Sequence, residues 1–111
     1  MDNLLTVALE AHNAERNHHR LYEVRVGRDL LNDWTVTIRY SRVGQRGREE
    51  RFGGPGIEPM AAIIKARLKQ RLSAPRRIGC SYRLARLDAE QGVELSRWLP
   101  MELLARFAGT A

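Results

Sequence analysis

Alternation of apolar and polar residues is strongest in the segment WTVTIRY. Trp34, Val36, Ile38 and Tyr40 share one parity there, and the residues between them are polar. Because side chains alternate between the two faces of a β-strand, this pattern predicts a strand with one buried face. The segment LYEVRV, residues 21–26, alternates in the same way and predicts a second strand.

Four further segments surround these two strands. Residues 3–10 are rich in Leu, Val and Thr and predict a first strand, with a short helix as the alternative. The polar run 11–19 predicts a loop, and the charged run 48–52 predicts a short outer strand. Residues 76–87 return to extended character and predict a last strand.

One helix is predicted between the fourth and fifth strands. Pro59 suits a first helical turn, and Met60, Ile64, Leu68 and Leu72 recur at every fourth position. Lysine and arginine fill the other faces, so the helix is amphipathic and is expected to lie on one face of the sheet. The sequence therefore predicts an α+β fold, in which an antiparallel sheet of four to five strands carries one amphipathic helix.

The last residues differ in composition from the rest of the chain. Acidic residues come first, and after a proline that suits a helix start Leu103, Leu104 and Phe107 form a small apolar stripe. We therefore divide the chain into a domain at residues 1–87 and a separable C-terminal helical extension at residues 88–111. The stripe either covers exposed core or contacts a protein partner or a second copy of the chain.

Charge is distributed unevenly along the chain. The 111 residues, a length that suits one domain, hold 19 basic and 13 acidic side chains and carry a net charge of +6. Residues 59–87 contain eight basic residues and no acidic residue. Coding bias explains the preference for arginine over lysine as well as phosphate binding does. It does not explain why acidic residues are missing from one segment. This asymmetry favours a polyanionic partner, usually nucleic acid.

Several functional classes lack the residues that they need. No apolar run approaches the roughly 20 residues of a membrane span, and the N-terminus lacks the basic region of a secretory signal. Cys80 is the single cysteine, which excludes an internal disulfide and favours a reducing compartment, the cytoplasm. His12, His18 and His19 fall in the predicted loop without cysteine partners, so we expect no metal site. No nucleophile elbow, P-loop or dinucleotide fingerprint occurs, and we expect neither an enzyme nor a cofactor.

The segments from LYEVRV to SRVGQRG, followed by the basic helix, resemble the WGR domain family. Residues 29–34, DLLNDW, are similar to the family's Asp-Leu-Phe-Gly-x-Trp turn, and residues 40–47, YSRVGQRG, to its Trp-Gly-Arg-Ile-Gly-x-x-Gly motif. Tyr40 and Ser41 stand where that motif has Trp-Gly. The other motif residues are kept, namely Arg42, Val43, Gly44 and Gly47. The resemblance covers residues 3–87 and implies a small bacterial protein related to the WGR domain of poly(ADP-ribose) polymerases.

This resemblance implies a non-catalytic module that binds nucleic acid, DNA in preference to RNA, through backbone phosphates and strand ends. The family's Trp stacks at a strand end and its Arg meets phosphate or a neighbouring module, so Tyr40 is expected to stack if it is exposed and Arg42 to meet phosphate. Arginines with an interleaved aromatic residue favour the same function independently. The predicted nucleic-acid-binding residues are Arg39, Tyr40, Arg42, Arg46, Arg48, Lys65, Lys69, Arg76 and Arg77.

The alternative function is a protein-interaction or scaffold module that uses the basic face or the apolar tail. In that case the arginines of the hairpin at residues 39–51 are solvated and pair across the strands with Glu49 and Glu50. Salt separates the two hypotheses, because phosphate binding weakens steeply with salt concentration and an apolar contact does not.

Overall fold

The computed structural model describes residues 2–13, 15, 18–42 and 44–108, without the side chains of residues 2, 3, 18, 77 and 78. Val43, which belongs to the WGR-like motif, and the side chain of Arg77, predicted to bind nucleic acid, lie outside the described part.

Within that part the chain forms one antiparallel sheet with helices on one face. The strands lie in the order β4-β3-β2-β1-β5, so β4 and β5 are the edges and every neighbouring pair is antiparallel. This confirms the α+β fold, with β4 as the outer strand that its charge predicts. No helix among the described residues is long and apolar enough to cross a membrane. The elements are β1 Asp2–Asn13, β2 His18–Arg28, β3 Trp34–Arg42, β4 Arg48–Gly54, α1 Ile57–Arg71, α2 Ala74–Ile78, β5 Arg83–Ala89, α3 Leu95–Trp98 and α4 Met101–Ala105.

Two predictions of local structure are wrong. The polar run 11–19 is not a loop, because β1 continues to Asn13 and β2 begins at His18, and the two strands pair up to the end of this hairpin. Backbone pairing outweighs polarity there, since Ala11 is buried while His12 and His19 lie on the exposed face. Residues 76–87 are also not one strand, because α2 occupies their beginning and ends at Gly79, whose φ of 78° is left-handed.

The core lies between one face of the sheet and the helices. Strand alternation sends Val24, Val26, Val36 and Ile38 to that face, and all four are fully buried. Trp34 has the same parity but is only half-buried, because it lies at the end of β3. Helix α1 contributes a buried stripe with the predicted spacing of four residues: Met60, Ile64 and Leu68.

The C-terminal segment packs onto the same core. The rings of Trp98 and Trp34 meet edge to face with centroids 5.0 Å apart, and Leu84 N–H donates to the carbonyl of Phe107 at 2.7 Å. Leu103, Leu104 and Phe107 are buried with the residues of the sheet. The boundary placed between residues 87 and 88 falls inside β5. This packing favours the alternative in which the apolar stripe covers the core.

We expect Ile38→Asp to abolish cooperative unfolding. Ile38 is fully buried and lies opposite Glu50 on β4, so the new carboxylate is desolvated beside a second acid. Thr37→Asp is the matched control, because Thr37 faces the other side of the sheet and lies opposite Arg25. Urea denaturation followed by circular dichroism measures both variants. A normal transition for Ile38→Asp would mean that the buried face of β3 is assigned wrongly.

We expect Phe107→Ala to lower the free energy of unfolding by about 3–5 kcal/mol, since a buried aromatic ring is removed. Met101→Ala in the same segment is the control, because Met101 is 52% exposed and its loss should change stability by less than about 0.5 kcal/mol. Equal stabilities of the two variants in chemical denaturation would show that the segment does not complete the core.

Candidate nucleic-acid interface

The buried faces of β2 and β3 continue past the apolar core as a row of aromatic and cationic residues. Tyr22 pairs with Tyr40 across these strands, and at the next position of the same parity Arg20 pairs with Arg42. Arg48, the first residue of β4, lies opposite Tyr40. All five side chains share the parity of Val24 and Ile38, so the sheet brings them together at one end of the face that α1 covers.

Four of these side chains, all except that of Tyr22, line a cavity of about 410 Å³, here called the arginine cavity. Helix α1 adds its last residue, Arg71, and the segment before β5 adds Tyr82. Among the described residues no carboxylate lines this cavity. Its complete lining is Arg20, Tyr40, Ser41, Arg42, Gln45, Gly47, Arg48, Arg71, Ala74 and Tyr82.

The four arginines of the cavity lack a counter-charge within the described chain. None of them forms an ion pair with a described carboxylate. The Nε atoms of Arg20 and Arg71 are buried and find no hydrogen-bond partner in that part of the chain. A buried donor without an acceptor is costly, and guanidinium groups match carboxylate and phosphate oxygens best. The arrangement therefore suits an anionic ligand.

The acids of the same hairpin are paired elsewhere. The Glu50 carboxylate accepts a hydrogen bond from Arg67 of α1 at 2.5 Å. This hydrogen bond raises the pKa of the Arg67 guanidinium above its usual value. Glu49 lies on the opposite face of β4, 3.7 Å from Arg51. The two acids therefore leave the charge of Arg42 and Arg48 uncompensated.

Three tyrosine rings support the floor of the cavity. Tyr22 is buried and stacks on Tyr40 with centroids 6.3 Å apart, and it meets Tyr82 edge to face at the same separation. The Cζ atom of Arg71 lies 4.7 Å from the centre of the Tyr22 ring. Burial raises the pKa of the Tyr22 phenol against the opposing effect of Arg71, so the phenol is neutral at neutral pH. Half-buried Tyr40 is thereby held in place from below.

The turn between β3 and β4 closes tightly against the end of β3. Gly47 has a φ of +71°, and a Cβ atom there would overlap Ser41 Cβ and the carbonyl oxygen of Tyr40. The backbone N–H of Gln45 also donates to the carbonyl of Arg42 at 3.0 Å. Glycine at position 47 permits this close approach, which brings Arg48 alongside Tyr40.

The predicted binding residues do not all lie together. Tyr40, Arg42 and Arg48 line the arginine cavity. Arg39 faces the other side of the sheet, where its Nη2 atom donates to the carbonyl of Arg46 at 3.4 Å. Lys65 lines a separate groove beside Trp98 and Pro100. Arg46, Lys69 and Arg76 are exposed and lie outside the cavity lining, and the side chain of Arg77 is outside the described part of the chain.

Sequence reasoning missed three of the arginines and tyrosines that line the cavity. Arg20 continues the parity of Tyr22 and Val24, but the second strand was predicted to begin one residue later. Arg71 follows Leu68 by three positions, so helical spacing already placed it near the buried face of α1. For Tyr82, which precedes β5 in an irregular segment, no periodic signal exists.

A comparison with known protein families finds a match over the first four strands. The family model of the WGR domain matches residues 5–54, which include most of β1 and all of β2, β3 and β4. No curated protein and no solved structure matches the chain. The matched range supplies Arg20, Tyr40, Arg42 and Arg48 to the cavity, whereas Arg71 comes from outside it. Residues 5–54 therefore match the WGR domain family, whose motif residues 40–47 resemble.

Proposed function

We propose that this protein is a non-catalytic module that binds nucleic acid, DNA in preference to RNA, through backbone phosphate and strand ends. One observation carries the proposal. Four arginines and two tyrosines line a single cavity in which the described residues place no acid. Guanidinium groups bind phosphate and a tyrosine ring stacks on a base, so this combination suits a nucleotide.

The size of the arginine cavity favours a strand end over the side of a duplex. A volume of about 410 Å³ lies in the range of pockets that hold a small molecule. A phosphate of intact duplex can reach the arginines at its rim. Only a terminal or unpaired nucleotide can place its base against the Tyr40 ring, because bases within a duplex are stacked on their neighbours.

The same lining argues against sequence specificity. Phosphate contacts position a protein on nucleic acid without reading its sequence, whereas reading requires side chains that reach base edges in a groove. The basic faces of α1 that carry Lys65 and Lys69 lie outside the cavity, so they supply long-range attraction at most. In this proposal the side chains bind and orient phosphate without cofactor or chemical step, and the protein acts in the cytoplasm, where Cys80 stays reduced.

A protein-interaction module is the second candidate, and the loop between β2 and β3 favours it. Leu30 is 99% and Leu31 is 83% exposed at the tip of this loop. The Asp29 carboxylate holds the tip in place by accepting from the backbone N–H groups of Leu31 and Asp33. An ordered apolar tip is typical of a protein contact. Binding through it should resist salt, unlike binding through phosphate.

We expect Arg42→Ala to weaken DNA binding by about 1.5–3 kcal/mol, roughly 10- to 150-fold, because a charge-assisted contact is lost. The loss should be similar for unrelated sequences, and the slope of log affinity against log salt should fall by about one. Fluorescence anisotropy at several salt concentrations measures both quantities.

Arg39→Ala is the matched control for this variant. It removes one positive charge from the same strand but from the opposite face, so we expect a smaller loss. Absence of binding by the wild type at low salt, or equal losses in the two variants, would contradict the proposal.

We expect Tyr40→Ala to weaken binding to a blunt-ended duplex more than binding to a covalently closed circle of the same sequence. Only an end exposes a base face for stacking, which contributes about 1–3 kcal/mol per base. Tyr40→Phe keeps the ring and is the control, so its affinity for ends should stay close to that of the wild type. Equal losses of Tyr40→Ala on both substrates would show that Tyr40 does not stack on an end.

A further inference from the structure

The outer edge of β4 has no backbone partner within the described part of the chain. β4 is the last strand on its side of the sheet and pairs with β3 alone. No backbone hydrogen bond outside the sheet involves residues 48–54. In β5, the other edge strand, Leu84 N–H already donates to the carbonyl of Phe107. β4 therefore carries a row of N–H and C=O groups with which a further strand can pair.

Charge is the only protection of this edge. Proteins usually protect an edge strand with a β-bulge, a proline or charged side chains. β4 pairs with β3 without a register shift and contains no proline, but it begins with Arg48, Glu49, Glu50 and Arg51. Because both signs are present, these side chains repel a strand that places like charges opposite each other. They attract a strand that places acids opposite arginines.

A second copy of β4 can meet the first only in certain registers. In an antiparallel pair, opposed residues lie on the same face of the sheet and direct their N–H and C=O groups alike. Successive residues alternate in both respects, so a two-fold axis between the strands has to pass through a residue. This rule excludes the register in which Glu49 of one copy lies opposite Glu50 of the other.

An axis through Glu50 gives the best match of charges. It places Glu49 of each copy opposite Arg51 of the other, on the face of the sheet away from α1. Within one chain these two side chains are 46% and 68% exposed and lie 3.7 Å apart. An axis through Arg48 or Arg51 instead sets arginine opposite arginine. An axis through Glu49 sets that acid opposite itself and directs Arg48 to Glu50, which already binds Arg67.

The two acids that meet at this axis bring their own counter-charges. Glu50 faces Glu50 of the second copy, and each carboxylate accepts a hydrogen bond from Arg67 of its own α1 at 2.5 Å. The axis therefore gathers two carboxylates and two guanidinium groups, whose charges cancel. On the same face Arg48 of each copy lies opposite Phe52 of the other, and a guanidinium beside an aromatic ring is favourable.

From this complementarity we propose that the protein associates with a second copy of itself through β4, in an antiparallel register centred on Glu50. The two sheets then form one continuous sheet, with α1 of both copies on the same face. This contact is separate from the apolar stripe of the C-terminal segment, which is buried within its own chain. The interface is one strand wide, so we expect a weak dimer with a dissociation constant of about 10 μM to 1 mM.

Analytical ultracentrifugation of the full chain, freed of nucleic acid, measures this association across that concentration range. Glu49→Arg sets arginines opposite each other and Arg51→Glu sets acids opposite each other. Each variant should therefore weaken self-association at least about tenfold. Asp88→Arg makes the same charge change on the other edge strand, β5, and is the control, so it should associate as the wild type does.

An equimolar mixture of Glu49→Arg and Arg51→Glu separates this register from a general effect of charge. In the mixed pair every opposed position again joins an acid to an arginine, so the two variants should bind each other more tightly than either binds itself. Both chains keep a net positive charge, so long-range attraction does not explain that result. The double variant Glu49→Arg/Arg51→Glu should self-associate as the wild type does.

Thermal melts followed by circular dichroism verify that each variant folds, since both altered side chains are exposed. A wild type that stays monomeric at about 1 mM, or a mixture that does not associate, would overturn the proposal. An equal loss in Asp88→Arg would overturn it as well. Neither Glu49 nor Arg51 lines the arginine cavity, so these outcomes are independent of nucleic-acid binding.

Discussion

The alternation of side chains along β2 and β3 governs both the stability of this fold and its candidate site. On one face of each strand, the side chains are apolar in the middle of the sheet, followed by a tyrosine and then by an arginine at the end. Val24 and Ile38 lie under α1, whereas Arg20 and Arg42 lie beyond that helix and line the cavity. Packing of the core therefore fixes the positions of the arginines, because the same two strands carry both.

Helix α1 connects the core to the cavity. Its middle residues, Ile64 and Leu68, are buried against the sheet. Arg67 forms an ion pair with Glu50, and the guanidinium of Arg71 lies over the Tyr22 ring. The pairing of Arg67 with Glu50 removes the nearest acid from the cavity. Mutual repulsion among the four remaining guanidinium groups opposes folding. In the proposed function a bound anion would offset this repulsion, which would couple anion binding to stability.

Much of the fold was predictable because its strongest patterns are local. The alternation from Trp34 to Tyr40 and the spacing from Met60 to Leu68 each identify an element and its buried face. The end of the hairpin formed by β1 and β2 was not predictable from composition, because strand pairing carries polar residues into these strands where their polarity alone suggests a loop. Of the candidate site, Arg42 follows from the motif and Arg48 from the arginines clustered on the same hairpin, whereas Tyr82 reaches the cavity only through packing between distant segments. Arg39 was included among the predicted binding residues, although its parity already placed it on the other face of the sheet.

The most direct test of the account is to observe the cavity arginines themselves while nucleic acid binds. Heteronuclear NMR resolves the Nε–H groups of arginine, and the Nε–H groups of Arg20 and Arg71 are buried without partners in the described chain. Titration with a short single-stranded DNA should shift these two signals and slow their exchange with water, while the signals of Arg25 and Arg39 on the opposite face stay in place. Shifts confined to Arg25 and Arg39, or unchanged signals of Arg20 and Arg71 at saturating DNA, would contradict the assignment of the arginine cavity as the nucleic-acid site.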